Sequence, residues 1–247
     1  YKVVACIIAR LKSKRLPQKT LLDLYGKPML LQLFDRLRLS QSITDIVLCT
    51  STHVDDQLLI DRVKEWGIES IAGDELNVLS RMITAAEKFD ADAVIRITGD
   101  NPFTDSKNID QMVKRHFQTS SDYTRTNHLP LGDTAEVMSR SMLNKLNVLM
   151  PDPNQSEYLS FFSFNPKEFH CEVLYPDPEL DRPYYSLTID YPRDLELARL
   201  LYEKCSHGGE IPSLRDVVSV LDADKNYRGL DKDAPIKIPG GDTITFQ

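Results

Sequence analysis

The sequence is poor in the features that most often give a function away. Its 247 residues hold four cysteines and one tryptophan. Cys6, Cys49, Cys171 and Cys205 form no CxxC pair. A chain of this length needs no disulfide scaffold, so they read as the reduced thiols of a cytoplasmic protein. Cys6 and Cys49 lie in apolar runs and read as small buried hydrophobes. No stretch approaches the ~18 apolar residues of a membrane-spanning helix. Lys plus Arg number 30 against 37 Asp plus Glu, a net charge of −7. That balance excludes a general partner for nucleic acid or for an anionic membrane. The nucleotide loops GxGxxG and GxxxxGK[ST] are absent, against a dinucleotide oxidoreductase and a P-loop ATPase. GxSxG and HExxH are absent too, and the five histidines show no metal-ligand spacing.

What is there is an alternation of apolar runs and amphipathic stretches. Residues 3–9 (VVACIIA), 45–50 (DIVLCT) and 92–98 (DAVIRIT) are short apolar runs of the kind that form strands buried on both faces. Helical patterns lie between them. Pro28 fits the first position of a helix running to about Leu39. Further helices are expected over 55–66, 77–89 and 106–117, with Asn77 and Ser106 as N-caps. Strand–helix alternation predicts a mainly parallel α/β sheet covered on both faces. The second half is less regular. Strands are expected near 169–175 and over 186–190, then helices over 192–204 and 213–221. The tail after Tyr227 reads as loosely ordered. A single domain over residues 1–247 is the simplest reading.

Three segments stand out chemically. Residues 10–19 contain Arg10, Lys12, Lys14, Arg15 and Lys19 and no acid. The segment follows the first strand, at the edge where open α/β sheets bind ligands. A positive field there attracts a polyphosphate, and arginine matches phosphate geometry. A solvated basic loop is the bland alternative. Thr98-Gly99-Asp100 follows the third apolar run, and Thr188-Ile189-Asp190 precedes Pro192. Each aspartate taken singly reads equally as a turn or cap residue. Together at one sheet edge they could hold Mg²⁺, an ion that takes one or two carboxylates and completes its shell with water and substrate phosphate. The residues alone leave both readings open. Asp90-Ala91-Asp92 imitates a glycosyltransferase DxD but precedes a strand, at the wrong end of the sheet.

With these residues in view, the chain resembles the cytidylyltransferases that make CMP-activated sugar acids, most closely the branch named for the spore coat polysaccharide protein SpsF. The family pattern AR-x-G-S-[KT]-R-L-P-G-K reads here Ala9-Arg10-Leu11-Lys12-Ser13-Lys14-Arg15-Leu16-Pro17-Gln18-Lys19. GKP[LM]L is Gly26 to Leu30, and the I-V-x-A-T-[ST] strand is Ile46 to Ser51. G-x-x-x-[DN]-V-L-x-R is Gly73 to Arg81. V-R-[IL]-T-G-D-x-P is Ile95 to Pro102, and [TV]-x-D-x-P-x-D-L-E is Thr188 to Glu196. The motifs fall in family order over roughly residues 3–200. Four of the departures matter most. Lys12 and Gln18 replace the two loop glycines, Thr134 replaces the Asp of G-L-D-V-E, and Tyr158 replaces the His of [RS]-E-H-V-T.

The resemblance implies a three-layer nucleotidyltransferase fold of the glycosyltransferase-A-like type. An insertion at about 120–185 would serve acceptor binding or dimerisation, and a homodimer is implied. It implies transfer of CMP from CTP to a small-molecule acceptor with release of pyrophosphate, for surface polysaccharide biosynthesis. Arg10, Lys19 and Asp100 would be catalytic. Nucleotide contacts would come from Ala9, Arg10, Ser13, Arg15, Lys19, Thr50, Ser51, Arg81, Thr98 and Gly99. Asp100 and Asp190 would hold Mg²⁺, and Glu136, Glu157 and Tyr158 would face the acceptor. A 3-deoxy-2-ulosonic acid is the expected acceptor. A phosphonate or phosphate ester stays open, with Lys12, Lys14 and Arg125 as the extra cations. A nucleotide-binding module without activity stays open as well.

Overall fold

The first strand sets the architecture. In β1 (Val3–Ile8), Val3 to Ile7 are all buried. Only a strand flanked by strands and covered on both faces can bury such a run. The computed structural model places β1 between β4 (Asp45–Ser51) and β6 (Ala93–Thr98), parallel to both. It describes residues 1–133, 135–150, 152, 156, 159–227 and 229, and the backbone of 236–237 and 243–244. Most of the tail after Tyr227, with Thr134, Glu157 and Tyr158, lies outside the described residues.

The sheet has seven strands in the order β5-β4-β1-β6-β8-β7-β9. β5 (Glu69–Gly73) joins β4 in parallel. β8 (Glu136–Ser139) runs antiparallel to both β6 and β7 (Tyr123–Thr126), and β9 (Cys171–Leu174) closes the far edge parallel to β7. A short antiparallel pair, β2 (Asp23–Leu24) and β3 (Lys27–Pro28), leads into the first helix. This is a mainly parallel sheet, the middle of three layers.

One face is covered by α1 (Met29–Leu37), α2 (Gln57–Glu65) and α4 (Ser106–Gln118), whose Leu33, Leu59 and Ile109 pack with Ala5, Ile7 and Ile95. The other carries α3 (Val78–Lys88), α5 (Arg140–Leu149) and α6 (Leu159–Ser163), which pack with Cys6, Cys49 and Val94. Each fully buried aliphatic side chain of this kind stabilises by about 1.5–3 kcal/mol. A third cluster joins α7 (Pro192–Cys205) and α8 (Leu214–Ala223) to Phe103, Leu187 and Ile189. Among the described residues no helix is long and apolar enough to cross a membrane.

Three local expectations are corrected. Pro28 is the N-cap of α1 and not its first helical residue. The N-cap of α4 is Asp105, not Ser106: its side chain accepts from the Asn108 amide at 3.1 Å. Residues 186–190 form no strand of the sheet. They run extended beside the loop before β8, held by the Leu131 and Leu187 amides that bond Tyr185 and Leu131 carbonyls, and by the Ile189 amide on the Asp100 carbonyl at 2.9 Å. Gly132 makes this approach possible, since a Cβ there would stand 2.3 Å from the Thr188 nitrogen. The contact brings Asp190 to the end of β6.

Candidate active site

The carboxyl ends of β1 and β6 meet at a pair of small residues. A Cβ on Gly99 would lie 2.7 Å from the Ala9 Cβ, so only glycine lets the two strand ends close up. The Gly99 amide bonds the Ile8 carbonyl at 2.8 Å. Above this point opens a cavity of about 620 Å³.

The basic loop wraps its mouth and is anchored from inside. Leu11 and Leu16 are buried. The Leu11 amide donates to Asp56 Oδ1 at 2.7 Å, and Asp56 Oδ2 takes the Ser51 hydroxyl. Gln18 closes the loop in the left-handed conformation at φ 53°, with its amide on the Leu11 carbonyl. Lys12, the other replaced glycine, has no positive φ. The first loop departure therefore adds a cationic side chain to the cavity at no backbone cost, and the second places a non-glycine residue where glycine fits best.

Charge at the site is arranged by sign. Arg10, Lys12, Lys14, Arg15, Lys19, Arg81 and Arg96 line the cavity against Glu75 and Asp100. In a chain of net charge −7 this is a local reversal. Arg10 bonds Glu75 at 3.0 Å. Arg81 enters from α3, buried, with one guanidinium nitrogen on the Cys49 carbonyl at 3.2 Å. Burial pulls its pKa down, yet arginine stays charged. Gly73 leaves room for its stem, since a Cβ there would stand 2.8 Å from the Arg81 Cγ.

The centre of the site is Lys19. Its Nζ donates to Asp100 Oδ2 at 2.8 Å, to Asp190 Oδ1 at 2.9 Å and to the Ile189 carbonyl at 3.0 Å. Arg15 adds a 2.7 Å bond to Asp190 Oδ1. Asp190 does not cap α7; that part falls to Asp194, whose Oδ2 accepts from the amides of Asp190 and Tyr191. Two carboxylates thus converge on one cation. This donor set fits Mg²⁺, which needs few protein oxygens when substrate phosphate supplies others. Among the described residues no group of three or more His, Cys, Asp or Glu side chains is placed to hold a metal.

The other expected residues divide. Ala9, Ser13, Thr98 and Gly99 line the cavity with the cations. Thr50 and Ser51 are buried and do not line it; Ser51 acts through Asp56, and the Thr50 hydroxyl has no partner among the described residues. Glu136 lies in a sheet row with Arg96, to which it is bonded at 2.7 Å, and accepts from Tyr123 Oη at 2.5 Å and Ser160 Oγ at 3.0 Å. Glu157 and Tyr158 lie outside the described residues. Sequence reasoning gave Arg96 no role. Its signal was a lone arginine inside the apolar run 92–98. Asp90 and Asp92 meet Lys2 at the opposite end of the sheet.

Comparison with known proteins agrees with this arrangement. A family model described as Cytidylyltransferase matches residues 4–204. The spore coat polysaccharide biosynthesis protein SpsF of Bacillus subtilis is 30% identical over 225 residues, 89% of this chain and 93% of that protein. The 3-deoxy-manno-octulosonate cytidylyltransferase of Chloroherpeton thalassium is 31% identical over 67% of this chain and 65% of its own length. The structure of a cytidylyltransferase from Leptospira borgpetersenii superposes with a TM-score of 0.82 at 25% identity, covering 92% of this chain and 99% of that one. The match spans every segment that builds the cavity, from β1 through α7, and by it the chain belongs to the cytidylyltransferase family.

Proposed function

We propose that this enzyme is a Mg²⁺-dependent transferase that joins CMP from CTP to a 3-deoxy-2-ulosonic acid and releases pyrophosphate. The observation that carries the reading is the Lys19 ammonium between Asp100 and Asp190, at the edge of a cationic cavity. The acceptor class is supported by the names of the two relatives, a 3-deoxy-manno-octulosonate cytidylyltransferase and a spore coat polysaccharide protein. The SpsF name also supports a place in surface polysaccharide biosynthesis. A cytoplasmic homodimer is proposed on the family resemblance, with residues 120–185 building the acceptor side or the subunit contact.

The protein's part is positioning and charge neutralisation, because phosphoryl-group transfer leaves it little bond-making to do. Arg10, Ser13, Arg15 and Lys19 hold the β- and γ-phosphates and stabilise the departing pyrophosphate. The close approach of Ala9 and Gly99 lets backbone meet the nucleotide, with Arg81 and Thr98 flanking it. Ser51 acts from below the loop through Asp56, with Thr50 buried beside it. Asp100 and Asp190 are the residues that hold Mg²⁺. When bound there, the ion supplies Lewis acidity at the α-phosphate and lowers the pKa of the attacking hydroxyl. Glu136 fixes Arg96 and Tyr123 at the acceptor side and takes the Ser160 hydroxyl, and Glu157 and Tyr158 are the further acceptor residues of the proposal.

The test is pyrophosphate release from each of the four nucleoside triphosphates, with Mg²⁺ and 3-deoxy-manno-octulosonate. Release with CTP alone is the expected result. Release driven by ATP or GTP, or CTP turnover indifferent to the sugar acid, overturns the reading.

A further inference from the structure

Beyond the cavity, the same sheet face continues along a row of three charged residues. Arg96 on β6 pairs with Glu136 on β8, and Glu136 pairs in turn with Arg125 on β7. The single carboxylate of the row is committed to Arg96, Tyr123 and Ser160. Arg125 is half-buried. Its guanidinium lies 4.0 Å from the centroid of the Phe164 ring, and it has neither a hydrogen bond nor an ion pair with any described residue. Its Nε is buried without a partner.

The Phe164 ring face offsets part of the cost of half-burying this charge, and no oxygen of the described residues completes its pairing. Stacking on Phe164 fixes the plane of the guanidinium and leaves its edge, the part that makes bidentate bonds to oxyanions, free to do so. Arg96 is shared between this row and the cavity wall. The row is therefore continuous with the nucleotide site, on the side where α6 brings Ser160.

We infer that Arg125 is the receptor for an oxyanion carried by the acceptor, separate from the acceptor's attacking hydroxyl. The inference rests on the cytidylyl-transfer reading. A carboxylate and a phosphonate present the same chemistry to a guanidinium, and the experiment separates them. The competing account is that Arg125 only covers the apolar face of Phe164 with its stem. Arg125→Met keeps that cover and removes the donors.

The measurement is calorimetry in two stages, on the wild type, Arg125→Met and Arg125→Lys, each with its melting temperature. Mg²⁺ and α,β-methylene-CTP are titrated first. The loaded protein is then titrated with 3-deoxy-manno-octulosonate, its uncharged methyl ester, and 2-hydroxyethylphosphonate. The expected result is that one oxyanion binds the wild type and Arg125→Met weakens it on the order of tenfold or more. The ester binds wild type and Arg125→Met alike, Arg125→Lys loses less, and CTP-analogue binding is the same in all three proteins. Equal oxyanion affinity in the wild type and Arg125→Met overturns the inference while leaving cytidylyl transfer standing, and so does failure of both oxyanions to bind. Failure of the wild type to take the CTP analogue overturns both.

Discussion

Lys19 and Arg125 are two cations in contrasting surroundings. The Lys19 ammonium has all three of its protons engaged, at 2.8, 2.9 and 3.0 Å. The Arg125 guanidinium meets an aromatic ring and, among the described residues, no oxygen. The phosphate end of the site is held in place by its own ion pairs, so its geometry is a property of the fold. The end proposed for the acceptor is held by strand register and by Glu136, and Arg125, its proposed recognising group, rests on Phe164 alone among the described residues. Pre-organisation of the first kind suits the triphosphate proposed for the cavity, and the second suits an acceptor that brings its own oxyanion.

The largest effect that tests this contrast is at Asp190. Replacing it with Asn keeps the size and removes one negative charge from the pair around Lys19. Lewis-acid stabilisation contributes several kcal/mol, so turnover should fall on the order of a hundredfold or more. The melting temperature should move little, because Asp194 and not Asp190 serves the α7 terminus. Turnover across a Mg²⁺ titration is the readout. Near-normal turnover at low Mg²⁺ would show that the carboxylate pair does not act on the metal.

How much of this was legible in sequence follows the same division. The phosphate end is built from contiguous pieces. Residues 9–19, 73–81 and 98–100 each bring several functional groups in one loop, and the run that ends each strand marks where the loop begins. That is why β1, β4 and β6 and the place of Asp100 at a strand end could be read from order and spacing, whereas for Asp190 the residues alone left a turn or cap equally open. The acceptor end is built from Arg96, Arg125, Glu136 and Phe164, one residue each from three strands and the α6 region. Their meeting depends on register between β6, β8 and β7, which no local pattern encodes. Residues 186–190 misled for a related reason. Alternating apolar residues look like a strand whether they pair with a sheet or with one loop. The helix start at Asp105 was missed by one residue, as cap positions commonly are.

A second effect separates the two ends by pH. His116 on α4 is 1% exposed and lies under the acceptor end, its Nδ1 2.9 Å from the Thr124 hydroxyl on β7. Burial, the largest influence, pulls its pKa down to about 4; the Asp122 charge opposes this and His170 adds to it. The unfolded chain takes up the proton near pH 6.5, so between 6.5 and about 4 it binds more protons than the fold. Stability is then fully present above pH 6.5 and is lost as pH falls toward 4, by roughly 3 kcal/mol from this group. His116→Gln should flatten that slope in denaturant melts between pH 7 and 4. Hydrogen exchange should locate the loss in β7 and α4 before the basic loop. An unchanged slope in the variant would assign the acid sensitivity to other groups.

The smallest effect concerns the loop glycine that this chain lacks. Gln18 holds φ 53° and ψ 27°, in the left-handed region. An L-residue there costs roughly 1–2 kcal/mol relative to the right-handed form, and glycine removes that cost. Glycine also frees the unfolded chain, which takes back about 0.4–1 kcal/mol. The Gln18 side chain is exposed, so little packing is lost. Gln18→Gly should therefore stabilise by up to about 1 kcal/mol, a rise of roughly 2–4 °C in melting temperature for a chain of this size. Affinity for CTP should change by less than about twofold, because the loop is fixed by Leu11, Leu16 and Asp56 on either side of the turn. A loss of stability would show that Gln18 contributes a contact that outweighs its backbone strain. A large change in CTP affinity would show that the phosphate end depends on this turn and is less rigid than its ion pairs imply.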